Sequence, residues 1–434
     1  MAVASSRRST YQLRGSVRPL SLIVAVVLTL VVAADARAEG FVELAAIVIH
    51  GNTRTREVTF LDLLPRPFPS RYTHAEVAEF ERRVRNLSLF DDVSVGVEGS
   101  ALHVRVREKT TIAPIVELST GKTLRDSSAK LGVVEYNLFG RAIELGGSLA
   151  YSSRGPQVEA WIMEHSFRPR RWNFELETFF VGSEFRFEGQ ETTWQRTRAG
   201  AEISLKAPYT YRSPLRYEQL LTAYREILTF VEGAGPVPRD GVFLGVGSEL
   251  TWDRYRFHDL VPSGWLATLE LRPGVFVGPA EPRHEARLTT KGSLPLGART
   301  ALVVRGVFEA ANGGNVNHSA LIGSQRGVRG LPDTLYRSGW IAFANVEVRH
   351  AFELATRWFL QPVAFTDAGC FQPLGRDGGF EHVRCALAVG AGVRLLPTAL
   401  VDTLLRLDGA RLLAPNLSDE HGQWLLQFGI NQYF

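Results

Sequence analysis

The chain has 434 residues, 45% hydrophobic and 22% charged, with 40 glycines, 21 prolines and two cysteines. That apolar share excludes a disordered chain, and two cysteines exclude a small disulfide-built scaffold. The formal net charge of +4 is carried by arginines interleaved with acids, with no basic block, which argues against a nucleic-acid partner.

Residues 1–38 read as a secretory signal. Arg7, Arg8, Arg14 and Arg18 precede an apolar run from Leu20 to Ala34, and Ala36-Arg37-Ala38 offers small residues for cleavage before Glu39. A single membrane anchor is the alternative, but the run falls short of the roughly 18–20 residues a spanning helix needs. No later apolar stretch reaches that length. The exported chain is then either soluble or crosses a membrane as a closed barrel, the other structure that satisfies every backbone group in lipid.

Residues 39–110 predict a small α+β module. Val42 to Ile49 is a strand closed by Gly51-Asn52, and Thr53 or Thr55 is placed to cap a helix through Leu64. Thr73 caps a second helix whose Val77, Phe80, Val84 and Leu87 share one face. Val93, Val95 and Val97 alternate up to the Gly99-Ser100 turn, and Leu102, Val104 and Val106 alternate after it, which predicts a hairpin.

Residues 111–434 carry weak dyad alternation in segments of about ten residues separated by turns, the pattern of a membrane barrel. Trp172, Phe174, Leu176, Thr178 and Phe180 oppose Asn173, Glu175 and Glu177; Val401, Thr403, Leu405 and Leu407 oppose Asp402, Arg406 and Asp408. Strands are predicted to begin near 112, 130, 142, 157, 172, 195, 215, 241, 264, 283, 300, 340, 357, 385, 401 and 423. That count is even, so both chain ends of the barrel face one compartment. Tight turns are expected at Asn137–Arg141, Phe167–Arg171 and Leu396–Leu400. Longer loops are expected at Ser183–Trp194, Val231–Asp240, Phe371–Arg384 and Arg411–Gly422, and the longest at Asn312–Gly339. Cys370 and Cys385 flank one loop at neighbouring strand ends, which favours a loop-closing disulfide in an oxidising compartment; two free thiols are the alternative.

These pieces together resemble a known family. Ile47-x-Ile49-x-Gly51-Asn52-x-Arg54-Thr55, Leu87-x-Leu89-Phe90-x-x-Val93-x-Val95 and Leu102-x-Val104-x-Val106-x-Glu108 resemble one POTRA repeat of the BamA/TamA superfamily. In that superfamily the long loop carries a V-R-G-F or V-R-G-Y motif and folds into the barrel lumen. Here Val328-Arg329-Gly330-Leu331 is similar, with Leu331 in the place of an aromatic. Asn345-x-Glu347-x-Arg349 and Phe365-x-Asp367-x-Gly369 resemble the strands that supply acidic acceptors to the loop arginine. Glu347 and Asp367 have inward parity, and carboxylates suit the planar guanidinium fork. Gly330 would let the loop turn sharply or pass close to the wall. An ordinary ion pair that stiffens the wall is the plainer reading of the same residues. The last strand, with Phe428, Ile430 and Phe434 in alternation, resembles an outer-membrane assembly signal.

The resemblance implies a mainly β protein: a 16-stranded transmembrane β-barrel in the bacterial outer membrane, with one POTRA-like domain in the periplasm. Its implied work is assembly of client barrels or passage of a polypeptide, with the POTRA edge holding the client by strand addition. Partners would be outer-membrane lipid, a client polypeptide or nascent barrel, and a periplasmic or lipoprotein accessory. No cofactor, metal or catalytic residue is expected. Gly121-Lys122-Thr123 lacks the first glycine and the strand-loop-helix setting of a phosphate loop, and His284-Glu285 lacks a second histidine. A passive pore constricted by the long loop, or a barrel enzyme, would be the rival functions.

Overall fold

A computed structural model describes residues 40–119, 128–152, 155–164, 168, 170–186, 193–208, 211, 213–232, 240–256, 261–277, 281–312, 320–322, 327–331, 336–373, 381–401, 403–413 and 424–430. The signal segment, Phe434 and the side chain of Ile430 lie outside the described residues. Residues from Val42 onward form one compact unit.

The small domain contains β1 (Phe41–Leu44), β2 (Ala46–His50), α1 (Glu57–Leu61), β3 (Ser70–Thr73), α2 (His74–Asn86), β4 (Phe90–Glu98) and β5 (Ala101–Glu108). β5 lies between β2, which is parallel to it, and β4, which is antiparallel. Thr73 caps α2 in a full capping box with Glu76, and the apolar face of the helix buries Phe80 and Val84 against Phe60, Leu102 and Val104. Two expectations need correction. The first strand is broken at Ala45 into β1 and β2, and β1 pairs instead with β3. Neither Thr53 nor Thr55 caps α1: its N-cap is Arg56, without a side-chain cap. Thr53 donates to Glu108 instead, and the Thr55 hydroxyl accepts from Asn137 in the barrel.

Sixteen strands close the barrel. They are β6 (Ile112–Ser119), β7 (Ser128–Glu135), β8 (Glu144–Ser152), β9 (Gly155–Met163), β10 (Asn173–Arg186), β11 (Thr193–Lys206), β12 (Leu215–Glu232), β13 (Gly241–Asp253), β14 (Gly264–Val277), β15 (Glu281–Pro295), β16 (Thr300–Asn312), β18 (Tyr336–His350), β20 (Trp358–Pro373), β21 (Arg384–Pro397), β22 (Leu405–Leu412) and β23 (Trp424–Ile430). Two short strands are added, β17 (Ala320–Ile322) inside the long loop and β19 (Phe352–Ala355) in the β18–β20 connection. Each neighbouring barrel pair is antiparallel, and β23 returns to β6.

Period-two alternation sorts the side chains. Leu131, Val133, Leu149, Phe174, Leu244, Leu269 and Leu407 are exposed on the outside, while Lys206, Glu226, Asp367, Arg394 and Asp408 are buried on the inside. Several boundaries depart from the sequence reading, with β18 beginning at Tyr336 instead of near 340, and two have a visible cause. β22 starts at Leu405, because Val401 is pulled into the small domain's core. The Ser183–Trp194 loop is shorter than expected, because β10 and β11 stay paired up to Arg186 and Thr193.

The small domain is fastened to one rim. Thr59 Oγ1 donates to the Gly140 carbonyl (2.9 Å) in the β7–β8 turn, and Arg168 Nη1 in the β9–β10 turn reaches Asp62 (3.0 Å). Tyr211 in the β11–β12 turn donates to the Leu63 carbonyl. Arg82 of α2 contacts Asp253 (3.2 Å) and the Tyr255 carbonyl (2.8 Å) beyond β13, Arg357 meets Asp91 (2.8 Å), and Thr110 pairs with Ala399 and Val401. Among the described residues, only the β15–β16 turn on that rim has no such contact. Ala142 and Val401 complete the apolar core beneath these contacts. The domain therefore stands across this mouth.

Electrostatics reinforce the fastening. Burial raises the Glu79 carboxyl, but hydrogen bonds and charge from Arg82 and Arg83 outweigh it and hold the group below its ordinary range. Burial likewise acts against Glu108, whose carboxyl is held low by Thr53, Thr55 and the Arg54 and Thr55 amides. Desolvation is the main force on Arg168 and pulls it below its usual value, with Glu164 and Asp62 acting in opposition.

Candidate functional site: the lumenal arginine and its acidic receptor

In the β16–β18 connection, Val328–Leu331 form a turn against the lumenal wall, closed by the Leu331 amide on the Val328 carbonyl (3.2 Å). Gly330 sits at φ +95°, where an L side chain is strained. A Cβ there would meet Leu412 at an ordinary 3.5 Å, so the turn and not the approach to the wall requires glycine.

This turn aims Arg329 at the wall. Its Nε and Nη2 donate to the two oxygens of Asp367 at 2.6 and 2.7 Å, and its backbone amide donates to the same carboxylate at 3.0 Å. Nη1 donates to Glu347 at 2.6 Å and to Asp408 at 3.3 Å. The guanidinium lies over the Phe365 ring, 3.4 Å from its centroid. Arg329 is 2% exposed and Asp367 and Glu347 no more than 1%, so the charges are matched out of water, where an unmatched one would be costly.

The neighbouring motif residues serve this geometry. Asn345 Nδ2 donates to the Gly327 carbonyl (2.8 Å) and fixes the loop backbone. Arg349 donates to the second oxygen of Glu347 (2.7 Å), turning that carboxylate toward Arg329. Gly369 leaves room for the loop, since a Cβ there would lie 2.8 Å from Val328 Cγ2. Val328 and Leu331 are fully buried among Ile322, Ile341, Phe343, Phe371, Ala388 and Leu412. An aliphatic residue thus packs where an aromatic would be usual.

No family model matches the chain, and no curated protein matches it. Solved structures do. BamA from Haemophilus ducreyi lacking POTRA domains 1-3 aligns with a TM-score of 0.54 and 14% identity, over 90% of this chain and 84% of that one. CdiB from Acinetobacter baumannii gives 0.57 and 14%, over 90% and 74%. CdiB from Escherichia coli gives 0.54 and 10%, over 92% and 91%. The chain has the BamA/CdiB barrel fold.

Within the BamA/CdiB fold, Arg329, Glu347, Asp367, Asn345, Arg349, Phe365 and Gly369 converge on one lumenal point. Sequence reasoning missed Asp408 of β22 and Arg394 of β21. Asp408 accepts from Arg394 Nη2 (3.1 Å) and Arg406 Nε (2.6 Å) besides Arg329. The inward parity of Asp408 was visible in the sequence, but the loop's reach across β20 and β21 to β22 was not. Cys370 and Cys385 face each other across β20 and β21 and form a disulfide with a Cα–Cα distance of 4.1 Å. Phe428 lies on β23, opposite Leu118 of β6.

Proposed function

We propose that the protein is a bacterial outer-membrane barrel that assembles client barrels into the membrane or moves a polypeptide across it. The observation that carries this reading is the buried lock between the inturned loop and the wall, set in a barrel whose outside is apolar. Exposed Phe139, Trp172, Trp265, Phe352 and Trp358 lie near the rim that carries the small domain, and Tyr151 and Trp424 lie toward the other end, as aromatic belts at two interfaces would. Tight turns on the small-domain rim support a periplasmic position for that domain.

The small domain then acts as a POTRA-like module. β2 and β4 are the edges of its sheet, and either offers a ladder for an extended client. The first and last barrel strands, β6 and β23, meet at the closure, and a client strand could enter there.

A passive pore is less well supported, because both the inturned loop and the small domain stand across the water path. For an enzyme, no nucleophile paired with a proton donor is assembled in the lumen among the described residues. Depletion tests the reading: levels or surface display of at least one other outer-membrane or exported polypeptide fall. Unchanged levels of all of them, together with steady conductance of the purified protein in planar bilayers, would instead favour the pore.

A further inference from the structure

Two of the strands that receive the loop are joined covalently. The β20–β21 ladder runs without a slip from Trp358–Pro397 to Phe371–Arg384, and the Cys370–Cys385 disulfide is its last rung but one. Arg357, just before β20, meets Asp91 of the small domain, so the disulfide lies toward the opposite end of the barrel. Both cysteines alternate with Gly369, Phe371 and Ala386, which are buried on the lumenal side, and so stand on the outside.

The inner faces of these rungs are the seat of the loop. Phe371 is fully buried and Ala386 nearly so, and both pack with Val328 and Leu331. Val328 lies against Gly369, and Asp367, three residues before Cys370, receives Arg329. On its other side this end of β20 is held less regularly. The β18–β20 ladder slips by one residue between Ser338–Pro373 and Ile341–Phe371, as a bulge does. On the outer face Ala342 stands opposite Cys370, Ala344 opposite Ala368 and Gly306 opposite Ala344, and together they leave an apolar recess of about 450 Å³. Residues this small offer little cross-strand packing. Element ends open first, and the disulfide closes the end that carries Phe371.

We propose that Cys370 and Cys385 are a positioning pair for the loop, and that their redox state sets how firmly Arg329 is seated. Oxidised, the pair fixes Phe371 and Ala386 against Val328 and Leu331. Reduced, it lets the ends of β20 and β21 part and loosens the seat. The reductant is a dithiol: its two sulfurs join as a disulfide while the Cys370–Cys385 bond becomes two thiols, with two electrons and two protons passing to the protein. This inference goes beyond the proposed assembly role and does not rest on it.

Hydrogen–deuterium exchange tests it on the full chain in lipid nanodiscs, before and after dithiothreitol, with thiols counted by mass in an alkylated aliquot. Peptides covering 327–331 report the loop, and β10 and β11 peptides are the reference. Reduction is expected to speed exchange over 327–331 at least fivefold with the reference unchanged, and reoxidation to restore it. The double variant Cys370→Ser, Cys385→Ser is expected to match the reduced protein and to ignore the reductant. In Phe371→Ala, which removes the side chain that joins the staple to the loop, the reductant is expected to add less than twofold. A staple that only closes its own hairpin would speed exchange over 381–386 and leave 327–331 as in the oxidised chain. That result, in the reduced protein or in the folded double variant, overturns the proposal; either sample decides if the other resists reduction or does not fold. The assembly reading would stand, since it is judged by depletion.

Discussion

At Arg329, three carboxylates and one aromatic face converge on a single guanidinium, and its removal should be felt first by Asp367. Every hydrogen bond that Asp367 receives among the described residues comes from Arg329. Arg329→Ala leaves that carboxylate buried and unpaired, a loss of about 3–5 kcal/mol for breaking a buried pair. Urea unfolding in detergent should show it, and protease should reach residues 327–331. Arg329→Lys should restore only part, because an ammonium cannot fork across both Asp367 oxygens while also reaching Glu347. Gly369→Val should displace the loop without touching any charge, since its side chain would occupy the space of Val328. If loop accessibility in Gly369→Val equals wild type, the packing account of that glycine is wrong. Most of this site could be read from residue type and parity: Glu347 and Asp367 point inward because they alternate with Val346, Val348 and Ala364. Asp408 was seen to point inward but not to meet Arg329, because register and loop trajectory are properties of the folded barrel.

Among the elements, α2 and the rim turns carry the docking of the small domain. Thr73→Ala removes the reciprocal cap of α2 and should cost about 1 kcal/mol, measured on exchange protection of His74–Asn86. Acid should loosen the docking. The Glu79 carboxyl, which holds Arg82 beside Asp253 and meets Arg216 of β12, is kept below its ordinary value of 4.5, so its contribution is complete above that pH and is lost as pH falls through its lower folded value. Spin labels at Glu98 and Arg299 should report one narrow distance at pH 7 and a broadened one well below pH 4.5. A distance unchanged across that range would mean that the apolar core around Ala142 and Val401 suffices. Strands with clean alternation, such as β10, were legible in the sequence. The alternation at Val401 misled because that residue looks like strand yet serves the core under the rim, and a tertiary contact overrides a local pattern. Thr55 misled likewise: it has the residue type of a helix cap, but its hydroxyl serves Asn137.

For the whole molecule, the barrel was readable from period, turn chemistry and an even strand count, since lipid admits few solutions for a backbone. The covered mouth was not readable, because it depends on Arg82, Arg168 and Arg357 meeting acids far away in the chain. That cover has a consequence for route. With the small domain fastened around the rim and the loop locked inside, a client would pass along the wall where β6 meets β23 more readily than through the lumen. Site-specific photo-crosslinking in living cells, from Val48 on the edge strand β2 and from Leu118 on β6, tests this account most directly. It predicts that both positions capture the same unfolded outer-membrane or exported polypeptide. Capture at neither position, with the protein folded and abundant in the outer membrane, would contradict it.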